Sequence, residues 1–209
     1  MILSSICRRA AIRRSILGAV ALSLMLMLAA VDSGAQTIDA DKAAKLKAAY
    51  LLNFVKYAEW PDDAFASPDS PIILTLAGQC DVTNVLASVV SQSEPVGGRT
   101  VKLQAAALPG SGASEEQWQS VYESMRNTHL LYVCGLTGDR AHAILEGIGA
   151  DDVLTVGDIP MFASNGGMIG FVLRGNRIVF EANLEAIHQS RVEVSAKVLQ
   201  LAQIVGKGP

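Results

Sequence analysis

The spacing of hydrophobic residues in this chain changes repeatedly between a helical and a strand-like period. Four large side chains recur at helical spacing and predict a first helix over about residues 39–59, namely Leu46, Tyr50, Phe54 and Tyr57. Short apolar runs predict strands at 71–78, 100–105, 129–133 and 153–156. Amphipathic stretches between them predict helices at 81–92, after a capping-box pattern at Ser114 and Gln117, and at 139–146. Strands that alternate with helices indicate βαβ units and a mostly parallel sheet.

The last quarter of the chain has a different pattern. Two strand-like runs, 168–173 and 177–181, flank an Arg-Gly-Asn turn and predict a hairpin. Asn183 is placed to cap a short helix over 184–189, and apolar spacing predicts a final helix over about 195–204. The predicted fold class is therefore α/β: a single domain with a mixed, mostly parallel sheet flanked by helices, and with a C-terminal hairpin and helix.

An apolar run near the N-terminus has the composition of a secretory signal. Four arginines precede it, the run spans residues 16–30, and small residues follow it up to Ala35. The run is shorter than the roughly 20 residues that a membrane-spanning helix needs. We therefore expect cleavage after Ala35, export to the periplasm, and a mature domain over residues 36–209.

The charge of the mature chain argues against nucleic acid as a partner. Residues 1–35 hold four arginines and one aspartate, a net charge of +3, so their removal takes the formal charge from −3 to −6. A nucleic-acid binder would instead carry a basic patch or stripe. The length of the mature segment suits one domain with its own core.

Two cysteines, Cys80 and Cys134, remain after removal of the signal. Each follows an apolar strand-like run, so their thiols approach each other if the two strands are neighbours in the sheet. An oxidising compartment permits a disulfide, but the sequence leaves open whether one forms. We predict no metal site, because the chain has no CxxC motif and its three histidines are scattered.

Glycines at the ends of predicted strands suggest a small-ligand crevice. Gly78, Gly135 and Gly157 each lie where a strand gives way to a loop, which is where α/β sheets bind ligands. None belongs to a GxGxxG or GxxxxGK[ST] motif, so ordinary turn glycines are the alternative. The chain also lacks a nucleophile motif and a persuasive pair of catalytic carboxylates, so we predict neither a cofactor nor an enzymatic activity.

Three blocks of the sequence closely resemble the YfiR family of exported bacterial proteins: KAAYLLNFVKYAEWP (47–61), LTVGDIPMFASNGGMIGFV (154–172) and RIVFEANLEAIHQSRVEVSAKVLQLAQIV (177–205). The resemblance implies a periplasmic α/β homodimer that represses a membrane-bound diguanylate cyclase by binding the cyclase's periplasmic sensor part. It also implies that an outer-membrane lipoprotein sequesters the repressor. The output would be cyclic di-GMP and, through it, biofilm formation.

By this resemblance the partner-binding positions fall on the C-terminal segment, at Glu181, Leu184, Ile187, Val194 and Leu199. The residues alone permit two interpretations of the apolar positions. Apolar side chains at near-helical spacing are typical of a core, and on an exported acidic domain they can also form a contact patch.

The sequence alone therefore permits two functions. In the first, the protein binds and represses a membrane-bound signalling enzyme, a diguanylate cyclase. In the second, it is a periplasmic small-molecule binding protein that acts with a histidine kinase or an outer-membrane receptor, and the ligand lies in the crevice near Gly78, Gly135 and Gly157. Thermal stabilisation by a metabolite would favour the second function.

Overall fold

A computed structural model describes residues 38–110, 112–149 and 151–206 of the chain. The predicted secretory signal and its cleavage position after Ala35 lie outside these described residues. Within the described ranges, no helix is both long enough and apolar enough to cross a bilayer.

The first part of the domain alternates between strands and helices, as the sequence predicts. Helix α1 spans Ala40–Lys56, and Asp39 caps it by accepting a hydrogen bond from the Asp41 N–H at 2.9 Å. The elements that follow, up to the end of the alternation, are β1 (Ala58–Glu59), a 3-10 turn (Asp62–Ala64), β2 (Ile72–Gly78), α2 (Thr83–Ser91), β3 (Val101–Ala106), α3 (Glu115–Met125), β4 (Leu130–Cys134), α4 (Gly138–Ile148) and β5 (Leu154–Gly157). Helix α3 begins with the predicted capping box between Ser114 and Gln117.

The second part begins with the predicted hairpin. Its elements are β6 (Ile169–Arg174), β7 (Arg177–Asn183), α5 (Leu184–Gln189), β8 (Glu193–Val194), α6 (Ala196–Leu199) and β9 (Gln203–Val205). Gly175 has φ 59° in the hairpin turn, a conformation that glycine adopts without a steric penalty. Asn183 caps α5, because its Oδ1 accepts a hydrogen bond from the Ala186 N–H at 3.1 Å.

The main sheet has seven strands in the order β3-β2-β4-β5-β6-β7-β9. The first five strands in this order run parallel, β7 runs antiparallel to β6, and β9 runs parallel to β7. A separate two-stranded sheet pairs β1 with β8. The predicted α/β class with a mixed, mostly parallel sheet is thereby confirmed.

Helices cover both faces of the sheet and create two cores. Leu130 and Tyr132 of β4 point into the core beneath α1 and α2, whereas Leu131 and Val133 point into the core beneath α3 and α4. All five residues of β4 are buried, because a central parallel strand is covered on both sides. The continuous apolar run that predicts this strand is therefore a consequence of burial on two faces.

The predicted final helix over residues 195–204 is wrong in extent. Helix α6 ends at Leu199, and residues 203–205 form β9, where Ile204 pairs with Ala182 of β7. Without β9, the outer edge of β7 would expose unpaired backbone N–H and C=O groups. The pairing provides hydrogen-bond partners for part of that edge. Leu201, which the sequence places on a helix, lies in the connection between α6 and β9 and is 73% exposed. Likewise, α1 ends before Glu59, because Ala58–Glu59 pairs with β8.

His129 is enclosed at the amino end of β4. Its Nδ1 accepts a hydrogen bond from the Ile73 N–H at 3.1 Å, and the Phe65 ring stacks on the imidazole with 4.4 Å between centroids. Trp60 packs against the imidazole edge-on at 5.8 Å. Burial lowers the pKa of His129 from its ordinary value of 6.5, and the positive charge of Arg99 contributes in the same direction. The folded protein therefore holds this imidazole neutral.

We expect acid to destabilise the fold through His129. Because its pKa is lower in the folded than in the unfolded state, stability is present above the unfolded value of about 6.5 and falls as the pH drops below it. Replacing His129 by asparagine keeps an acceptor for the Ile73 N–H but removes the titration. Urea unfolding at about pH 7.5 and about pH 5.5 should show a weaker pH dependence in His129→Asn. The exposed His142→Asn is the control; equal pH dependence in all three proteins would refute the assignment.

Candidate functional site

The four apolar positions that the resemblance assigns to a partner differ in exposure. Ile187 is 5% exposed and belongs to the core beneath α1. Leu184, Val194 and Leu199 are half-buried, and the last two pack against the same core. Ile187 therefore supports the segment from inside, whereas the other three leave part of their surface exposed to solvent.

Glu181 lies in β7 and precedes the other four positions in the chain. Its side chain is 14% exposed, and an oxygen of its carboxylate lies 3.4 Å from Arg174 Nη2 across the hairpin. This pair is partly open to solvent, so its contribution to stability is small. Because successive side chains of a strand point to opposite faces, Glu181 lies on the face of the sheet opposite to Phe180 and the core beneath α1.

An apolar groove lies between α1 and the C-terminal segment. It has a volume of about 170 Å³, and we call it the aromatic groove; its lining residues are Tyr50, Asn53, Phe54, Tyr57, Phe180, Lys197, Val198 and Leu201. Phe54 and Phe180 form its floor at 2% exposure each, whereas Tyr57 and Leu201 form its rim at 43% and 73%. Solvent-accessible apolar side chains around a buried aromatic floor are typical of a contact site.

Aromatic contacts fix the geometry of the aromatic groove. Phe54 and Phe180 meet edge to face with 5.2 Å between ring centroids, and Tyr50 meets Phe180 in the same way at 5.5 Å. Such pairs stabilise beyond the area that they bury. Lys197 Nζ lies 5.8 Å from the centre of the Tyr57 ring, so one positive charge borders the rim. The groove is therefore a preformed feature built on a helix and a strand.

The sequence did not identify the most exposed members of this surface. Periodicity predicts a helix over Leu201, which instead lies 73% exposed at the rim of the groove. It also places Tyr57 on the inward face of the first helix, but Tyr57 follows the end of α1 and is 43% exposed. An apolar period alone does not reveal where a helix stops, so these residues become visible only in the fold.

A second site lies where the chain reverses direction across the sheet. From β2 the chain crosses to β3 at one side, and from β3 it returns to β4 at the other, so the loops after β2 and β4 diverge. The carboxyl ends of strands at such a switch point are the usual ligand position in α/β sheets. A cavity of about 430 Å³, the sheet-end crevice, lies there; its lining residues are Gln79, Asp81, Gly135, Leu136, Asp158, Ile159 and Pro160.

The three glycines predicted at this position allow close packing. A Cβ on Gly78 would lie 2.0 Å from the Cys134 carbonyl oxygen, and one on Gly135 would lie 2.4 Å from the Gln79 carbonyl oxygen. A Cβ on Gly157 would lie 2.5 Å from the Phe162 ring. Gly78 and Gly135 also have positive φ values. Of the three, only Gly135 lines the crevice, and its charged groups come from other residues.

Cys80 and Cys134 lie beside the crevice, Cys80 in the loop after β2 and Cys134 at the end of β4. Their Cα atoms are 5.3 Å apart, within the range that a disulfide requires, and the sulfurs lie within bonding distance. The strands that carry them are adjacent and parallel, with Gly78 opposite Cys134. The neighbouring strands therefore bring together two cysteines that are 54 residues apart in sequence.

A charged cluster forms the inner wall of the sheet-end crevice. Lys47 Nζ lies 2.8 Å from Asp158 Oδ2 and 3.1 Å from Asp81 Oδ2, and the Tyr132 hydroxyl donates to Asp158 Oδ2 at 2.8 Å. The side chains of Lys47 and Asp158 are 14% and 18% exposed, whereas that of Asp81 is 46% exposed. The cluster joins α1, β4 and the loops after β2 and β5 at one point.

The cluster keeps its donors protonated. Burial lowers the pKa of Lys47, but hydrogen bonds and charge from Asp158 and Asp81 outweigh it, so the pKa lies above its ordinary value. Burial, with the adjacent charge of Asp158, raises the pKa of Tyr132. Both groups therefore act as hydrogen-bond donors to carboxylates, an arrangement suited to holding charge in place. Among the described residues, no group of three or more His, Cys, Asp or Glu side chains is placed to hold a metal ion.

Comparison with known proteins identifies the family. Among curated proteins, none matches this chain. A family model described as YfiR/HmsC-like matches residues 44–203, which include every strand and helix from the middle of α1 to the start of β9. The aromatic groove and the sheet-end crevice both lie within the matched region. The chain therefore belongs to the YfiR/HmsC-like family, a family of periplasmic regulators of cyclic di-GMP signalling.

Proposed function

We propose that this protein represses a membrane-bound diguanylate cyclase by binding the cyclase's periplasmic sensor part through the aromatic groove and the C-terminal segment. The observation that carries this proposal is the groove itself, with its buried Phe54 and Phe180 floor and its exposed Tyr57 and Leu201 rim. The five positions that the family resemblance assigns to a partner are not among the groove's lining residues, but Lys197 and Val198, which line it, lie in the chain between Val194 and Leu199. Family membership supports the regulatory role.

The aromatic groove has the features of an anchor site for a protein partner. A few residues in well-packed pockets carry most of the binding energy at protein interfaces, and aromatic side chains are enriched among them. Burying the exposed part of Leu201 would contribute about 1 to 2 kcal/mol before the costs of association. Lys197 borders the groove with one positive charge, which orients a partner more than it strengthens the partner's binding.

The proposal places the protein in the periplasm as a homodimer. Export would remove residues 1–35, and Cys80 and Cys134 would form a disulfide in that oxidising compartment. An outer-membrane lipoprotein would relieve repression by sequestering the protein. A sensor kinase is the alternative membrane partner, and the experiment below distinguishes it from a cyclase.

Replacing Leu201 by aspartate is expected to abolish partner binding while the protein stays folded. A carboxylate at the rim would have to be desolvated in the complex, whereas in the free protein it remains in water because Leu201 is 73% exposed. We expect at least about 30-fold weaker binding, the loss typical of a hot-spot residue. The measurement is retention of a diguanylate cyclase from native membranes on the immobilised mature domain, together with cellular cyclic di-GMP.

Leu173→Asp is the matched control, because Leu173 is also exposed, at 56%, but does not line the groove. Retention of the cyclase by wild type and Leu173→Asp, with loss by Leu201→Asp, supports the proposal. Equal retention by both variants would exclude the groove as the binding site. Retention of a histidine kinase in place of a cyclase would assign the protein to the alternative partner.

A further inference from the structure

We propose that the sheet-end crevice binds a small primary amine whose ammonium group sits against Asp81 and Asp158. This site is independent of the proposed regulatory function, because it lies at the carboxyl end of β2, β4 and β5 and shares no residue with the aromatic groove. Failure of amine binding would therefore leave the partner-binding proposal unaffected.

The charge of the crevice is not balanced. Lys47 supplies one positive charge to the two carboxylates of Asp81 and Asp158, which leaves an excess of one negative charge. Lys47 and Tyr132 both contact the Oδ2 atoms, and within the described ranges no residue donates a hydrogen bond to Oδ1 of either aspartate. Two carboxylate oxygens are thus free to accept from a cation.

The carboxylates of Asp81 and Asp158 reach the crevice from two different loops. Asp81 follows β2 and Asp158 follows β5, and both line the crevice together with Gln79, whose side-chain amide adds a further polar group. Because Lys47 from α1 holds both aspartates, their positions are fixed before a ligand arrives. A preorganised pair of acceptors lowers the cost of binding.

The remaining wall of the crevice is apolar and indicates the rest of the ligand. Leu136, Ile159 and Pro160 are the apolar side chains among its lining residues. Mostly apolar pockets of 300–1,000 Å³ with a few converging polar groups are typical of small-molecule sites, and the volume here is about 430 Å³. An amine with a short hydrocarbon chain or an aromatic ring would place its ammonium against the carboxylates and its apolar part against the apolar lining residues.

An anionic ligand does not suit the same position. The nearest positive group, the ammonium of Lys47, already donates to both aspartates, and its side chain is 14% exposed. An anion in the crevice would therefore meet the two carboxylates without making a contact with that ammonium. The negative charges of such an anion and of the two carboxylates would repel each other at contact distance. The charge pattern therefore selects for cations, and the absence of a third ligating side chain in the described part of the chain favours an organic cation over a metal ion.

The test uses 2-phenylethylamine, tyramine and cadaverine as probes on the purified mature protein, with 2-phenylethanol as a neutral analogue of similar size. Isothermal titration should detect the aromatic amines but not the alcohol. Asp81→Asn should weaken amine binding by about tenfold or more, because a charge-assisted hydrogen bond is lost. The matched control is Asp69→Asn. Asp69 is an exposed aspartate just before β2, so it lies at the amino end of that strand, whereas the crevice lies at the carboxyl ends.

Binding of the amines by wild type and Asp69→Asn, with loss in Asp81→Asn, would establish the site. No binding of any of the three amines would overturn the inference, as would equal binding of 2-phenylethylamine and 2-phenylethanol. Unchanged affinity in Asp81→Asn would place the amine elsewhere and also overturn it. The comparison of amine with alcohol needs only the wild-type protein, so it decides the matter even if the variant is unstable.

Discussion

Replacing Ile187 by aspartate is expected to unfold this protein. Ile187 is 5% exposed in the core beneath α1, so the substitution removes a buried apolar side chain and places a carboxylate within a cluster of buried apolar side chains. The combined cost is about 4 kcal/mol or more, a large fraction of the stability of an ordinary domain. Chemical denaturation and near-ultraviolet circular dichroism would reveal the loss.

The comparison with Leu201→Asp makes this result informative about function. Both variants place aspartate in the C-terminal segment, but one is in the core and the other is 73% exposed. Ile187→Val is the conservative control and should cost about 1 kcal/mol. If Ile187→Asp remained folded and lost its partner, Ile187 would be a contact residue, and the packing described for α5 would be wrong.

Removing the pair Cys80 and Cys134 is expected to have the second large effect. A disulfide that closes a loop of 54 residues stabilises by about 4 kcal/mol through the entropy of the unfolded chain. The double variant Cys80→Ser, Cys134→Ser should therefore unfold at a markedly lower urea concentration than the oxidised wild type. Reduction of the wild type with dithiothreitol should lower the midpoint by a similar amount.

The double variant also provides the control for reduction. If the cysteines are joined, dithiothreitol changes the wild type but has no effect on the variant. An equal midpoint for oxidised and reduced wild type would show that the cysteines are not joined under those conditions. Counting free thiols in the denatured oxidised protein gives an independent answer: the mature segment would show none if the pair is closed, since it holds no other cysteine.

The two sites of this domain differ in what their geometry can do. The aromatic groove has an apolar floor and an exposed apolar rim, so it suits the side chains of a protein partner. The sheet-end crevice has fixed charges along one wall and suits a small polar ligand. Both sites involve α1, because Lys47, near the middle of the helix, holds the crevice aspartates, and Phe54, near its end, forms part of the groove floor. A ligand in the crevice would therefore lie against carboxylates held by the helix that forms a wall of the groove.

Local sequence was sufficient for the elements whose stability is local. The capping box at Ser114, the Asn183 cap and the hairpin turn at Gly175 were each predictable, because each depends on hydrogen bonds or backbone conformations within a few residues. The order of strands and helices was predictable for a related reason. An element covered on one side needs apolar residues on one face only, whereas a strand covered on both sides needs a continuous apolar run. The spacing of apolar residues therefore indicates both the type of element and how it is covered.

Features that join distant segments were not predictable in the same way. Periodicity favoured a helix over residues 195–204, but β9 forms there because the open edge of β7 offers backbone partners that a single sequence does not display. The sequence singles out Gly78, Gly135 and Gly157, but the close contacts of Gly78 and Gly135 depend on residues that are distant in the chain. Lys47 and Asp158 are 111 residues apart, and nothing in their local sequence indicates that they meet.

The sequence by itself thus determined the fold class, the family resemblance and the position of the C-terminal segment, because these follow from periodicity, capping and matching blocks of residues. The tertiary structure alone decided which residues of that segment are core and which are surface, and it brought the charged wall of the crevice together. Burial and charge pairing are properties of neighbours in space. A linear pattern specifies which side of an element is apolar, but the packing of other elements determines whether that side remains exposed.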